Sequence, residues 1–455
     1  MRALLLACLS FFPSLAGAAH ELGMNVHQDP GVGPNATKDA GLKWVRIDMD
    51  WSLAQPADGP PDWTVLDAAV NAARAKGLSV LGLIAYTPTW ASTGSADAPH
   101  NNDVPVAGKY AAFVTLAVQH FKDRVTYFEL WNEPNLSVFW EGSIQQYIDL
   151  VLKPGADAVR AACAGCKVLH AGLASLSSSK YDAWLDAMLK QASDKIDIVN
   201  GHIYAGFTED DPNVGFTTDS FLNRLESHRI LQAGGVVFYE SPLSFKEVMD
   251  KNASTKPLWI TETGLEAPLG DAAQLDKQTL FYRRVLEKAA ARPWWTATIF
   301  YEAFDVPAGM YHFGIVEDLG GGSYTKKPVF DFLKGAVQAQ AFGGLNPPCS
   351  DLLDNDGDGK IDFPNDPDCF DPNGASEGAP AAMDAGVLDA YGLDAAPGGN
   401  GDAGGSTVGT GGGGGDHLPA KGGCALTGAD AALGPLALLL ALLGAAAVRA
   451  ARRRA

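Results

Sequence analysis

The chain has 455 residues, room for one large domain plus appendages, and sets 34 Lys and Arg against 53 Asp and Glu for a net charge of −19. That balance argues against nucleic acid or an anionic membrane surface as a partner. The excess is uneven: residues 349–416 hold 14 acidic groups and a single Lys360, so the part before them is only mildly acidic.

Residues 1–19 carry Arg2, an apolar core from Ala3 to Leu15 and small residues through Ala19, the pattern of a secretory signal cleaved near Ala18 or Ala19. Export implies an oxidising compartment, in which Cys163/Cys166 and Cys349/Cys369 read as two local disulfides.

From residue 20 to 342, short β-rich runs alternate with amphipathic stretches. Strands are predicted over 22–27, 44–49, 79–86, 125–131, 168–173, 196–204, 258–263 and 296–304. Helical patterns lie between them at 65–76, 109–122, 144–162, 181–191, 245–252 and 273–291, with a last one at 328–338. Eight strands, each followed by a helix, predict an α/β fold of the (β/α)8 TIM-barrel type. A doubly wound open sheet is the alternative, but it would usually carry a Gly-rich phosphate turn after the first strand, and Leu22–His27 has none. The longest insertion, 205–241, follows the sixth strand and is expected at the rim over the site.

Two strands are built alike. Val125–Leu130 runs into Trp131-Asn132-Glu133-Pro134, where proline, unable to donate to a ladder, should end the strand with Glu133 at its tip. Leu258–Thr263 likewise delivers Glu262 where it stops. On a barrel these would close the fourth and seventh strands on one face, and paired carboxylates there are what acid/base cleavage of a glycosidic bond requires.

Trp-Asn-Glu-Pro with a later strand-end glutamate resembles glycoside hydrolase clan A, the retaining (β/α)8 glycosidases, and the motif set looks most like families 39 and 5. The resemblance implies Glu133 as acid/base, Glu262 as nucleophile and Asn132 as a substrate-positioning amide. It also implies Arg46 beside the nucleophile, though that guanidinium could instead pair with Asp48. His202 and Tyr204, at the end of the sixth strand, match a His and a Tyr aimed at the site. The eighth strand departs from many family 5 members by lacking their Trp, which leaves Tyr301 or Phe304 as the sugar platform. Trp90 and Trp140, in loops beyond strands, are further substrate-binding candidates, though core packing explains any single aromatic equally well. Glu129 and Glu266 read as solvated or structural. Catalysis of this kind needs no cofactor. The function that follows is a retaining hydrolase of an extracellular, β-linked polysaccharide. A catalytically silent carbohydrate-binding protein on the same barrel is the alternative.

After Phe342 the character changes. Residues 343–378 form an Asp-rich module bounded by Cys349 and Cys369, in which Asp354, Asp356, Asp358 and Asp362 space their oxygens like the first half of an EF-hand loop. Asn365 stands where the usual bidentate glutamate would be, so the module reads either as a Ca2+ site or as a solvated acidic turn stapled by a disulfide. Residues 379–423 are a Gly/Ala/Asp linker too poor in apolar groups to fold. Residues 424–455 hold Cys424, an apolar segment 431–448 and a basic end, an order that resembles the C-terminal sorting tags of bacterial surface proteins, the myxobacterial type in particular. This implies at least transient membrane association, a sorting protease as partner, and a location at the cell envelope or surface.

Overall fold

The β-rich runs close on themselves. In a computed structural model, eight parallel strands form a barrel: β1 (Glu21–Asn25), β2 (Trp44–Asp50), β3 (Ser79–Ala85), β4 (Tyr127–Asn132), β5 (Lys167–Ala174), β6 (Val199–His202), β7 (Leu258–Glu262) and β8 (Trp295–Phe300). Each pairs with its sequence neighbour, and β8 closes onto β1. The structure describes residues 20–94, 101–176, 179–204, 221–228, 230–233, 236–240, 242–306, 309 and 311–338. The signal segment, the Asp-rich module with Asp354, Asp356, Asp358 and Asp362, the linker and the C-terminal segment lie outside these residues. No helix among the described residues is long and apolar enough to cross a membrane.

The barrel is filled at its amino-terminal end by Trp44, Leu81, Leu169, Ile198, Trp259, Ala297 and Ile299, with Tyr127 stacked on Trp259. A larger shell of aliphatic and aromatic side chains packs between strands and helices. Full burial of each large apolar side chain is worth about 1.5–3 kcal/mol, so the scaffold has ample hydrophobic drive to hold polar groups in its upper half.

Most helices fall where periodicity puts them, for example Thr64–Ala75, Lys109–Phe121 and Ala272–Ala290. The stretch 144–162 is interrupted: one turn, Ile144–Tyr147, passes through a π segment, Ile148–Leu152, into Lys153–Ala162. Pro154 has no N–H to donate to the preceding turn, and the wider π turn accommodates it. Cys163 and Cys166 form the expected local disulfide just after this helix.

One expectation needs correction. The eighth strand stops at Phe300 rather than running to 304. Beyond it Phe304–Asp305 pairs with Val316–Gly320, which pairs with Ser323–Lys326 in a small second sheet. Of the insertion after β6, expected at the rim over the site, residues 205–220 lie outside the described residues, and the described helix Phe221–Leu225 reaches from the Tyr204 carbonyl, bonded by Arg224, down the flank. Phe221 is buried against Phe281 and Trp295, and Glu226 bonds Arg292 near the start of β8, so the end of this helix packs on the barrel flank.

Candidate active site

The register of the barrel brings a set of polar residues to one level near the carboxyl ends of the strands. Asn25 pairs with Arg46, Asn132 with Gly172, Ala174 with His202, and His202 with Glu262. At the end of β4 the backbone departs from plain alternation: Trp131 has φ 87° and Glu133 φ 40°. Left-handed conformations at non-glycine residues cost about 1–3 kcal/mol each and persist only where packing fixes them. Here the indole of Trp131 is buried against Tyr110 and Trp140, and its Nε1 donates to the Phe139 carbonyl at 2.9 Å. The twist at 131 resets the two-residue period, so that Glu129 and Asn132 both reach Arg46.

Arg46 is the hub. Its Nη1 donates to Glu262 Oε1 at 2.7 Å and to Asn25 Oδ1 at 2.9 Å. Its Nε and Nη2 grip both oxygens of Glu129 at 2.7 and 3.1 Å, and Nη2 also donates to Asn132 Oδ1 at 3.0 Å. The alternative pairing with Asp48 does not form; Asp48 bonds His27. Burial alone would push the Glu129 carboxyl up, but Arg46 and His202 outweigh it and hold the group at about 2. Glu129 is therefore a buried structural anion, fully shielded from solvent.

Glu133 and Glu262 are brought together. A carboxylate oxygen of each lies within 4.8 Å of the other and of a His202 nitrogen. His202 Nδ1 is 2.9 Å from Glu133 Oε1 and 3.5 Å from Glu262 Oε2, while its Nε2 is 3.0 Å from Thr261 Oγ1. Tyr204 donates its hydroxyl to Glu262 Oε2 at 3.0 Å. The other oxygen of Glu133, Oε2, is buried with no partner. Burial pushes the Glu133 carboxyl up and the neighbouring His202 opposes it, with the balance upward. Burial disfavours a charge on His202, yet Glu262, Glu129 and Glu133 raise its pKa to about 9. Both imidazole nitrogens are engaged, Nδ1 with Glu133 and Nε2 with Thr261, and the acid–His–acid set is arranged for proton transfer.

The aromatic candidates divide. Tyr301 is nearly buried, its ring edge-on to His27, Tyr204 and Phe313, beside the Glu262 carboxylate. Trp90 is half-buried, bonded through Nε1 to the Gln55 carbonyl, with Lys109 Nζ 4.7 Å from its ring centroid; its contacts do not reach the carboxylates. Trp140 must be withdrawn as a stacking platform. It is 2 % exposed, covered by Trp131 and Tyr147, and Nε1 is spent on the Ser143 carbonyl, leaving no ring face for a sugar.

Sequence reasoning missed a second cluster beside the first. His27, at φ 52°, bonds Asp48 at 2.8 Å through Nδ1 and Glu302 at 3.0 Å through Nε2, which ties the ends of β1, β2 and β8 together. It also missed Thr261 and Asn200 beneath His202. A polar side chain inside an otherwise apolar strand was the available signal for each.

These features define a (β/α)8 barrel carrying a paired-carboxylate site at the carboxyl ends of its strands. Residues 33–298 match the model of the Cellulase family, glycosyl hydrolase family 5, and the chain belongs to that family of glycosidases. Among solved structures, a family 39 glycoside hydrolase from Bacteroides cellulosilyticus WH2 shares 19% identity with a TM-score of 0.51, the match covering 72% of this chain and 63% of that one. A hyperthermophilic beta-glucosidase from Pyrococcus furiosus shares 12% identity with a TM-score of 0.51, covering 72% of this chain and 96% of that one. At these identities the likeness is one of fold. No curated protein matches the chain.

Proposed function

We propose that the chain is a retaining glycosidase that cleaves O-glycosidic bonds in an extracellular, β-linked polysaccharide by double displacement. The observation that carries this reading is the approach of Glu133 and Glu262 to within 4.8 Å between carboxylate oxygens. Retaining enzymes hold their two carboxyl groups about 5–5.5 Å apart, whereas inverting ones need about 6.5–9.5 Å to admit a water.

Glu262, held by Arg46 on one oxygen and Tyr204 on the other, attacks the anomeric carbon as the bond to the leaving oxygen breaks. Glu133 gives that oxygen its proton from the unpartnered Oε2. The burial that raises the Glu133 pKa favours the protonated form this step uses. Once Glu262 is esterified its negative charge is gone, and Glu133, now ionised, takes a proton from the water that releases the sugar. Asn132 turns its Oδ1 to Arg46, which leaves its amide N–H groups for a sugar hydroxyl. Tyr301, buried edge-on against Tyr204, backs the ring whose hydroxyl bonds Glu262. Protons and charges balance on the two carboxylates without a cofactor.

Export to the cell envelope or surface rests on the signal-like residues 1–19 and on the sorting-type C-terminus. The silent-binder alternative has no observation in its favour, since acid, nucleophile and positioning amide are all present.

The test combines the Glu262→Gln variant with product analysis on xylans, mannans, glucans and bacterial exopolysaccharides. The variant should fold and lose turnover, and NMR of the first product should show the anomeric configuration of the substrate. Undiminished turnover, or an inverted product, overturns the reading.

A further inference from the structure

We propose that Thr261 is a positioning residue whose hydroxyl, turned toward Asn200, keeps a proton on His202 Nε2, so that the only proton His202 can gain or lose is the one facing Glu133. The inference rests on the reading of Glu133 as acid/base and concerns what sets its proton.

Donor and acceptor can be followed through the buried chain. His170 Nδ1 donates to the Ala171 carbonyl at 2.7 Å, and its Nε2 accepts the Asn200 backbone N–H at 3.0 Å, so His170 is neutral and its tautomer is set. The Asn200 amide turns its Nδ2 toward the His170 carbonyl, at 3.4 Å, and its Oδ1 toward Thr261. Thr261 has one hydroxyl proton, and Asn200 Oδ1, 2.7 Å away, takes it. What the threonine oxygen offers His202, at 3.0 Å, is a lone pair. A His202 tautomer bare at Nε2 would set lone pair against lone pair 3.0 Å apart between two buried side chains, so Nε2 stays protonated in both charge states. Deprotonation must then occur at Nδ1, which lies 2.9 Å from Glu133 Oε1.

Among the described residues, the charged and titratable groups around His202 fit this assignment. From β4, Glu129 Oε1 is 3.8 Å from Nε2, too far to take its proton, and Glu133 meets Nδ1. From β7, Glu262 Oε2 stands 3.5 Å from Nδ1. From β2, Arg46 is occupied by Glu129 and Glu262. From β5, His170 is neutral because burial lowers its pKa to about 4. Tyr204, beyond β6, gives its proton to Glu262. The Glu133–His202 pair therefore exchanges a single proton, and its two titration steps belong to the pair.

The first test needs no substrate. In full-length protein labelled with 15N-histidine, with the His202 signals assigned by their loss in His202→Asn, raising the pH past about 9 should strip the proton from Nδ1 and leave Nε2–H. The Thr261→Val variant should let the neutral ring populate the Nδ1–H tautomer; Thr261→Ser, which keeps the hydroxyl, should not. In the same titration Thr261→Val should lower the pH at which His202 loses its proton by roughly one unit, because a hydrogen bond to the imidazolium is lost, and with 4-nitrophenyl β-cellobioside as probe the alkaline limb of kcat/KM should shift in this variant. Thr261→Ser should restore the limb, which a packing defect would not predict. A wild-type His202 that is neutral with its proton on Nδ1, or a Thr261→Val tautomer identical to wild type, overturns the inference. Failure of the underlying reading looks different: Glu133→Gln would then keep full turnover whatever the tautomer is.

Discussion

Replacing Arg46 with methionine tests the core of the site, because it keeps the side-chain bulk and removes the charge. Arg46 is buried and makes five side-chain hydrogen bonds, three of them to the carboxylates of Glu129 and Glu262. Two lines give the expected loss. The Glu129 carboxyl is held at about 2 against an ordinary 4.5, which at 1.36 kcal/mol per pH unit is worth about 3 kcal/mol, most of it owed to Arg46. Removing one partner of a buried ion pair costs about 3–5 kcal/mol in general. For a domain of this size that is a fall in Tm of roughly 5–7 °C, read by circular dichroism at pH 7. The sign with pH follows from linkage. Glu129 has a depressed pKa in the folded state, so its contribution is complete above 4.5 and is lost as the pH falls toward about 2. The Tm gap between wild type and Arg46→Met should therefore narrow as the pH falls from about 4.5 toward about 2. A Tm change below about 2 °C, or a gap that widens in acid, would refute the hub assignment.

Two further substitutions probe the geometry around the carboxylates. A Cβ on Gly172 would stand 2.0 Å from His202 Nε2, and the ring is tied at both nitrogens, so Gly172→Ala should displace His202 and Glu133 and lower kcat about a hundredfold; activity within threefold of wild type would show that the ring has room to retreat. Tyr204→Phe removes the hydroxyl that bonds Glu262 Oε2 but leaves the ring against Phe313 and Tyr301, so kcat/KM should drop about tenfold to a hundredfold with Tm nearly unchanged; equal kcat/KM would mean that the bond does not steady the nucleophile.

What the sequence disclosed and what it withheld separate along a physical line. Short β-rich apolar runs alternating with amphipathic helices are local patterns, and they located all eight barrel strands and the face on which Glu133 and Glu262 meet. The hub was harder to see, because Arg46 and Glu129 are 83 residues apart and their pairing depends on barrel register. A lone arginine in Trp44–Ile47 and a lone glutamate in Val125–Leu130 nonetheless pose one question, since neither charge survives burial without the other. Reading Glu129 as solvated or structural considered it alone, and the choice between Asp48 and a catalytic glutamate for Arg46 considered only near neighbours. Trp140 failed for a related reason: position after a strand does not say which way a ring turns, and the left-handed residue at Trp131 draws Trp140 into the core.

The two levels meet at β4. Had Trp131 kept the ordinary extended backbone, strict alternation would have sent Asn132 away from the face that Glu129 occupies, and Arg46 could not have bonded both. The strain at 131 and 133 is what lets one strand supply a structural anion, a positioning amide and a proton donor within five residues. That strain is held by the buried indole contacts with Tyr110, Trp140 and the Phe139 carbonyl, so the packing outside the barrel is part of the chemistry inside it.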